Sequence, residues 1–227
     1  MVKKHSCEYC KREFHDEKNL INHSCEKKRR WFRKEDPASR FAFMAWSRFY
    51  ELCGTGGKKK QSFKEFINSR YYNAFIKFGK HIIDLNAIEP AKFIDFVIKN
   101  NLPIDKWAND FVYEQYIREL NMKETPEAAL ERMILLMQQW SMQTGEQWQD
   151  FFRLINVNLA VQWTKTGRIS PWLLYNVDSA LDLIDRCSME QQDMIKEFAP
   201  VAPWKIKFLK NRDSIDWIKK TMKEAGV

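Results

Sequence analysis

The sequence predicts a mainly α-helical protein in which a small N-terminal ββα unit precedes an all-helical domain of about eight or nine helices. Beyond residue 38, apolar residues recur every three or four positions, the period of a helix with one buried face. The periodic segments begin with residues that favour helix starts, and only 7 Gly and 7 Pro interrupt the 227 residues. The ββα unit is predicted from a different signal, the spacing of cysteine and histidine near the N-terminus.

We expect three segments: residues 1–26 as the small unit, 27–37 as a basic arm, and 38–227 as the helical domain. A Ser62 capping box, Thr125-Pro126 and a second box at Ser188 indicate three of the helix starts. The predicted helices are 40–52, 63–83, 89–100, 105–120, 126–144, 147–165, 171–186, 189–199 and 214–225. Alternating apolar and basic residues over 204–208 favour one short strand or extended segment there.

Composition limits the class of protein. With 44% hydrophobic residues the chain can bury a sizeable core, and the sequence contains no apolar run long enough for a membrane span. The charged residues at its start do not resemble a secretory signal peptide. We therefore expect no membrane partner and an intracellular location, which means the cytoplasm, or the nucleus in a eukaryote.

The first 25 residues contain three of the five cysteines and three of the four histidines. Cys7 and Cys10 are separated by two residues, and His23 follows at the distance expected for a helix packed on a hairpin, with Phe14 and Leu20 as a miniature core. A segment this short cannot bury enough apolar surface to fold alone, whereas a bound zinc ion supplies the missing free energy. The spacing therefore predicts a Zn²⁺ site, the alternative being a chance cluster.

Residues 5–25 resemble the C2H2-type zinc-finger family, and the likeness does not extend beyond about residue 30. The family leaves three to five residues between this histidine and its fourth ligand, and at those positions this chain has Lys27, Lys28 and Arg29. Cys25 can replace that ligand only if the helix stops at His23 and the chain turns back, because residues two apart on a helix point in different directions. We predict a variant site with His5 or His15 as substitute fourth ligands; its expected ligands are Cys7, Cys10, His23 and Cys25.

The resemblance also implies where a finger of this kind would contact DNA. The helix positions that reach base edges in DNA-reading members correspond to Asp16, Asn19 and Asn22. Asn can pair with adenine and Asp can accept a hydrogen bond from cytosine. The alternative is a purely structural finger whose helix is solvated.

Positive charge is concentrated beside the predicted finger. Residues 1–40 contain 12 Lys and Arg against 7 Asp and Glu, so they hold most of the net charge of +8. Such a local excess is typical of a surface that contacts phosphates, with Trp31 and Phe32 available to stack on an exposed base. The alternatives are a charged linker whose aromatics pack on the body, and a localisation signal. The predicted contacts are Lys27, Lys28, Arg29, Arg30, Trp31, Arg33 and Lys34.

Two further basic features follow in the helical domain. The Gly-rich loop after Gly54 ends in Lys58, Lys59 and Lys60, which we expect to touch DNA. The predicted helix 63–83 has a polar stripe that forms either a second basic patch or a solvated face. The stripe consists of Arg70, Asn73, Lys77 and Lys80.

One acidic group has the spacing of a metal-dependent active site. One predicted helix contains Asp178, Asp182 and Asp185 at regular spacing. They could hold Mg²⁺ for phosphoryl chemistry, or they could simply lie on the solvent-exposed side of that helix. Other acidic residues in aromatic segments could be catalytic or could form ion pairs with nearby arginines. These acids are Glu51, Glu114 and Asp150, and the arginines are Arg48, Arg118 and Arg153.

The leading hypothesis is a non-enzymatic nucleic-acid-binding accessory protein of replication, recombination or transcription, with DNA preferred over RNA. In it, a zinc finger and a basic arm are attached to a helical body that engages other proteins. The alternative is a DNA- or RNA-processing enzyme, such as a nuclease or base-modifying enzyme, that uses the finger to bind its substrate. A third hypothesis is a protein-interaction adaptor with a structural finger.

Overall fold

The computed structural model describes residues 5–54 and 61–227, and over these residues the protein is mainly helical. The strands described there form one two-stranded sheet near the N-terminus. This confirms the predicted mainly helical chain with a small sheet at its start. Lys58, Lys59 and Lys60 lie outside the described residues.

Contacts divide the chain into two compact units, residues 1–112 and 113–227. The predicted segment boundaries at residues 26 and 37 both lie inside the first unit and stay predictions. None of the helices in the described residues has the length and apolar character needed to cross a bilayer.

The chain begins with a hairpin followed by a short helix. Strands β1 (His5–Ser6) and β2 (Glu13–Phe14) are antiparallel, with His5 opposite Phe14. Helix α1 (Glu17–Asn22) follows at once, because the Asp16 side chain accepts a hydrogen bond from the Asn19 N–H and caps the free N-terminal end. The order of elements is therefore strand, strand, helix.

The rest of the first unit is helical. Its elements are α2 (Glu26–Phe32), α3 (Pro37–Cys53), α4 (Phe63–Phe66), α5 (Tyr72–Asp84), α6 (Pro90–Lys99), a 3₁₀ turn (Ile104–Lys106) and the start of α7 (Asp110–Lys123). Residues 27–32 of the predicted basic arm thus belong to a helix, α2, and residues 33–36 form the turn that leads into α3. Cys25 caps its start and Glu26 stands in its first turn.

Helices α3 and α5 approach each other closely at Gly79. A Cβ atom at this position would lie 2.2 Å from the carbonyl oxygen of Ala38, so only glycine allows the two backbones to come this near. Phe75 and Phe78, which precede Gly79 on α5, are fully buried. The close packing brings the exposed Lys80 near the beginning of α3.

The second unit contains the end of α7 and eight further α-helices within the described residues. They are α8 (Pro126–Thr144), α9 (Phe151–Leu154), α10 (Val157–Lys165), α11 (Pro171–Leu174), α12 (Asp178–Asp185), α13 (Met189–Phe198), α14 (Val201–Leu209) and α15 (Arg212–Glu224). A 3₁₀ turn (Trp148–Asp150) leads into α9. Leu130, Met133, Met137 and Trp140 of α8 form part of the buried core.

Several predicted helices are broken in the structure, so the predicted helical domain holds thirteen α-helices within the described residues, α3 to α15, rather than eight or nine. The predicted helix 63–83 is interrupted between α4 and α5, where the Ser69 hydroxyl accepts a hydrogen bond from the Tyr71 N–H. The predicted helix 147–165 restarts at Asn156, which caps α10. The predicted helix 171–186 is similarly divided into α11 and α12. Side-chain bonds of this kind compete with the helical ladder.

The predicted strand over 204–208 is wrong, because these residues lie within α14. The alternation misled because Lys207 does not face solvent. Its ammonium group donates to three backbone carbonyls and lies 4.7 Å from the rings of both Trp172 and Trp204. When a lysine on a helix packs against the protein, the sequence can show the same apolar–basic alternation as a strand with one polar face.

Candidate metal centre and the basic helix that follows it

Four side chains near the N-terminus converge on one point. The sulfur atoms of Cys7, Cys10 and Cys25 and one ring nitrogen of His23 all lie within 4.8 Å of one another. Among these atoms, Cys10 Sγ lies 3.2 Å from His23 Nε2. In the described residues no other group of three or more Cys, His, Asp or Glu side chains is assembled in this way.

The hairpin turn places Cys7 and Cys10 side by side. Its backbone is closed by hydrogen bonds from the Cys7 N–H to the Arg12 carbonyl and from the Lys11 N–H to the Cys7 carbonyl, each 2.9 Å long. Lys11 adopts a left-handed conformation, with φ of 65°, to complete the turn. Two residues between the cysteines are therefore enough to bring both sulfurs to the same side.

The other two ligands come from the end of α1. The helix stops at Asn22, and His23 leaves it with an extended backbone, φ −71° and ψ 119°. This is the turn required for Cys25 to join His23 on one side of the chain. His5 and His15, the predicted substitutes, are outside the group of four.

The pKa values of the Cys7 and Cys10 thiols are shifted in opposite directions. Burial opposes ionisation of Cys7, but hydrogen bonds from the backbone of Cys10 and Tyr9 outweigh it and lower the pKa of this thiol. Burial raises the pKa of Cys10, and the neighbouring Cys7 and Cys25 raise it further. A divalent cation among the three sulfurs would remove their mutual repulsion.

The donor set fits a metal ion. Sulfur ligands lie about 2.3 Å from a tetrahedral zinc, which places neighbouring ligands roughly 3.5–3.8 Å apart. The four atoms of the group are close to that arrangement, since all of their separations are within 4.8 Å. Three thiolates and an imidazole form a soft set of ligands, typical of zinc and of copper(I).

Cys25 also begins the basic helix. Its sulfur accepts a hydrogen bond of 3.4 Å from the backbone N–H of Lys28, so the residue is the N-cap of α2. The Lys28 side chain donates to the carbonyl of His23 at 3.2 Å. Lys28, predicted to contact phosphate, therefore holds the end of α1 to the start of α2.

Arg30 fastens α2 to the helices that follow it. Its guanidinium donates to the Ile67 carbonyl at 2.9 Å, pairs with Glu26, and lies 4.1 Å from the centre of the Tyr72 ring. Only 17% of its side chain is exposed. The remaining cations of α2 and the residues after it are more accessible: Lys27 is half-buried, and Arg29, Arg33 and Lys34 are exposed.

The structure distinguishes the two aromatic residues of α2. The Trp31 ring lies 5.9 Å from Tyr9 in the hairpin and 6.0 Å from Phe63 in α4, so it joins the two parts of the first unit. Phe32 is 69% exposed. Trp31 therefore matches the expected packing on the body, whereas the Phe32 ring, 6.4 Å from Tyr9, keeps most of its surface exposed.

The predicted base-reading residues lie on the surface of α1. Asp16, Asn19 and Asn22 are all exposed. Asn19 already donates to Asp16 through both its backbone N–H, at 2.7 Å, and its side-chain amide, at 2.6 Å. Base recognition by this pair would have to replace those bonds.

Three of the acidic residues considered for catalysis form ion pairs, and the other three are exposed on one helix. Asp178, Asp182 and Asp185 are exposed on α12 and do not form a metal-ligand group. Glu51 pairs with Arg48 at 2.9 Å and Asp150 with Arg153 at 3.3 Å, which is one of the two alternatives left open for them. Glu114 pairs with Lys165 at 3.2 Å instead of with Arg118.

A buried ionic network in the second unit was not predicted. Glu124, whose side chain is 6% exposed, binds both Nε and Nη2 of Arg132, at 2.7 and 2.9 Å. The Ser170 hydroxyl donates to the same carboxylate at 2.9 Å. Arg132 also donates to the carbonyls of Gly167 and Arg168, so the network holds a loop in place. In the sequence, Glu124 looks like an ordinary charged residue at a solvent-exposed helix end, so its burial could not be predicted.

Comparison with protein families, with curated proteins and with solved structures gives no match for this chain.

Proposed function

We propose that the protein is a zinc-dependent nucleic-acid-binding accessory protein that prefers DNA over RNA. The observation that carries the proposal is the double role of Cys25, which belongs to the metal-ligand group and caps the basic helix α2. Zinc bound by Cys7, Cys10, His23 and Cys25 would supply folding free energy to the hairpin and α1. It would thereby hold the start of α2 in place.

The order of strand, strand and helix supports a variant of the C2H2-type finger. Its three thiolates and one imidazole are a common structural zinc set. Such a set leaves no open coordination position, so we assign the metal a structural role. The base-reading role of Asn19 and Asn22 is a separate proposal that follows from the resemblance alone.

The surface next to the metal group supports binding of a polyanion. Arg29, Arg33 and Lys34 are exposed, and Phe32 offers a ring to an unstacked base. Lys27, Lys28 and Arg30 add positive charge behind them. We further propose that Lys58, Lys59 and Lys60 contact the same strand, and that the helical body engages other proteins.

The test is binding of the full-length protein to short single-stranded and duplex DNA and RNA at several salt concentrations. We expect DNA to bind more tightly than RNA, and affinity to fall by about 0.9 log units per log of salt for each duplex phosphate contacted. Chelation of the metal should abolish most of this binding. A flat salt response would favour the protein-interaction adaptor instead.

A further inference from the structure

A cavity of about 380 Å³ lies between α2, α3 and α5 in the first unit. Its size is within the range of pockets that hold small ligands. The charged and polar side chains that matter for its chemistry come from α2, from α5 and from the turn between α2 and α3. They are Arg29, Arg30, Arg33, Asp36, Asn73 and Lys80.

The lining of this cavity is predominantly cationic. Four cationic side chains face two carboxylates, and one of these, Glu26, is already paired with Arg30. Arg29, Arg33 and Lys80 make no ion pair with any residue in the ranges 5–54 and 61–227. Three cations thus share one cavity with a single unengaged carboxylate, Asp36, which favours the entry of an anion.

Side-chain contacts tie the walls of the cavity together. Arg30 donates a hydrogen bond to the Ile67 carbonyl and lies over the Tyr72 ring, so it connects α2 to the end of α4 and the start of α5. The close approach of α3 and α5 at Gly79 sets the position of Lys80. A preorganised set of cations binds an anion with little additional ordering.

The first turn of α3 adds to the same electrostatic field. Ala38 and Ser39 line the cavity, and Asp36 makes no side-chain bond to the free N–H groups of this seventeen-residue helix. Unsatisfied N–H groups at a helix start attract negative charge. The start of α3 therefore adds to the attraction that the cationic side chains exert on an anion.

We propose that this cavity binds the terminal phosphate of a nucleic acid strand, an inference that rests on the proposed function. A terminal phosphate monoester has about −1.5 to −2 charges at neutral pH and is attached to the strand on one side. An internal phosphodiester has one charge and a nucleotide on each side, so it fits a concave site less well. Arginine and lysine are the side chains that bind such a group through charge-assisted hydrogen bonds.

The sequence contained both halves of this site but no sign that they meet. Arg29 and Arg33 belong to the predicted basic arm, whereas Asn73 and Lys80 belong to the predicted polar stripe of α5. The packing of α2 against α5 through Arg30 brings the two together. The cavity would thus extend the basic surface of α2 by one defined phosphate.

The experiment compares fluorescent single-stranded DNA oligonucleotides that have a 5′-phosphate, a 3′-phosphate or neither, bound to the full-length protein. We expect one phosphorylated end to bind at least about fivefold more tightly than the unphosphorylated strand. The double variant Arg33→Gln/Lys80→Gln should lose this preference. The matched control Lys64→Gln/Lys106→Gln removes two exposed charges outside the cavity and should keep it.

Asp36→Asn provides a variant with the opposite effect. Asparagine is an equally good residue at a helix N-cap, so α3 should remain intact while the opposing carboxylate is lost. The preference for the phosphorylated end should then rise. A lower or unchanged preference would count against the cavity as the binding site.

The outcomes separate the two proposals. If the wild-type protein binds all strands equally with a normal salt dependence, the terminal-phosphate site is overturned and nucleic-acid binding stands. If no strand binds, both proposals fail. If a free mononucleotide competes as well as the phosphorylated strand, the ligand is a small nucleotide and the strand-end assignment is wrong.

Discussion

The Sγ atom of Cys25 lies 3.4 Å from the backbone nitrogen of Lys28 and accepts its hydrogen bond. One atom therefore belongs both to the metal-ligand group and to the cap of α2. A change at the metal group must affect the first turn of the basic helix, because a capping bond contributes about 1 kcal/mol to helix stability. A metal ion bound by this group would therefore also stabilise the first turn of α2, which forms part of the basic surface.

The first prediction concerns Cys7→Ser. The variant should lose the metal, because a serine hydroxyl is a poor ligand for the soft ion that this group suits. Without the metal, the hairpin and α1 should lose their protection from amide hydrogen exchange, while α8 in the second unit should keep its own. Elemental analysis of the pure wild-type protein should find about one zinc per chain.

The control for this experiment is Cys53→Ser. Cys53 is an exposed free cysteine that is not a member of the metal group. Its substitution should leave both the zinc content and DNA binding unchanged. Retention of zinc by the Cys7 variant would contradict the assigned ligand set.

The second prediction concerns Trp31→Ala. The substitution removes the ring that contacts Tyr9 on one side and Phe63 on the other. Because Trp31 is only partly buried, the free energy of unfolding of the first unit should fall by about 1–3 kcal/mol. Hydrogen exchange over residues 5–32 and urea unfolding measure this effect, and unchanged exchange would show that the contact is unimportant.

The third prediction concerns Phe32→Ala, which separates binding from stability. The Phe32 ring is 69% exposed, so its loss should change the free energy of unfolding by no more than about 0.5 kcal/mol. If the ring stacks on a base, single-stranded DNA should bind about 1–3 kcal/mol more weakly. Equal affinity of wild type and variant would exclude Phe32 from the interface.

Much of the helical organisation was accessible from the sequence, because caps act locally. Thr125-Pro126 predicted the start of α8, which runs over Pro126–Thr144, and the Ser188 box predicted α13. The breaks were missed because apolar spacing continues through them. At Ser69 and Asn156, a polar side chain bonds the backbone and ends the helical ladder without disturbing the apolar pattern.

The metal group was accessible for the same reason, since its four ligands lie within nineteen consecutive residues, 7–25. The position of Arg30 was not accessible. Its partner Ile67 is 37 residues away, and only the packing of α2 against the end of α4 makes that bond. The metal ligands could be predicted from residues that are close together in the sequence. Which basic residues bind neighbouring helices and which remain exposed depends on tertiary contacts.

The fourth prediction concerns Lys207→Met in the second unit. The ammonium group donates to the carbonyls of Asn121, Met122 and Glu124 at 3.1, 2.9 and 3.0 Å, and burial lowers its pKa. Methionine would leave these carbonyls without their donor, which should reduce the free energy of unfolding by about 1–3 kcal/mol. Urea unfolding checks this value. Lys205→Met, on an exposed position of the same helix, should have almost no effect.

The fifth prediction concerns the Arg48–Asp95 ion pair and its dependence on pH. Arg48 donates two hydrogen bonds to this carboxylate, at 2.7 and 3.3 Å, and these lower the pKa of Asp95 below its ordinary 3.8, although partial burial opposes the shift. Since the pKa is lower in the folded than in the unfolded state, the pair stabilises the protein above about pH 4 and loses this contribution as pH falls through the folded-state pKa.

Asp95→Asn should therefore lower the free energy of unfolding by about 0.5–1 kcal/mol at pH 7, a modest value because the Arg48 side chain is 40% exposed. The difference between wild type and variant should shrink towards zero as the pH falls below 3.8, the ordinary pKa of the carboxyl. Urea unfolding at several pH values measures it. Asp105→Asn, at an exposed position without an ion pair in the described part of the chain, should show no such pH-dependent difference. A difference for Asp95→Asn that persists undiminished in acid would mean that the charge of Asp95 does not contribute to stability.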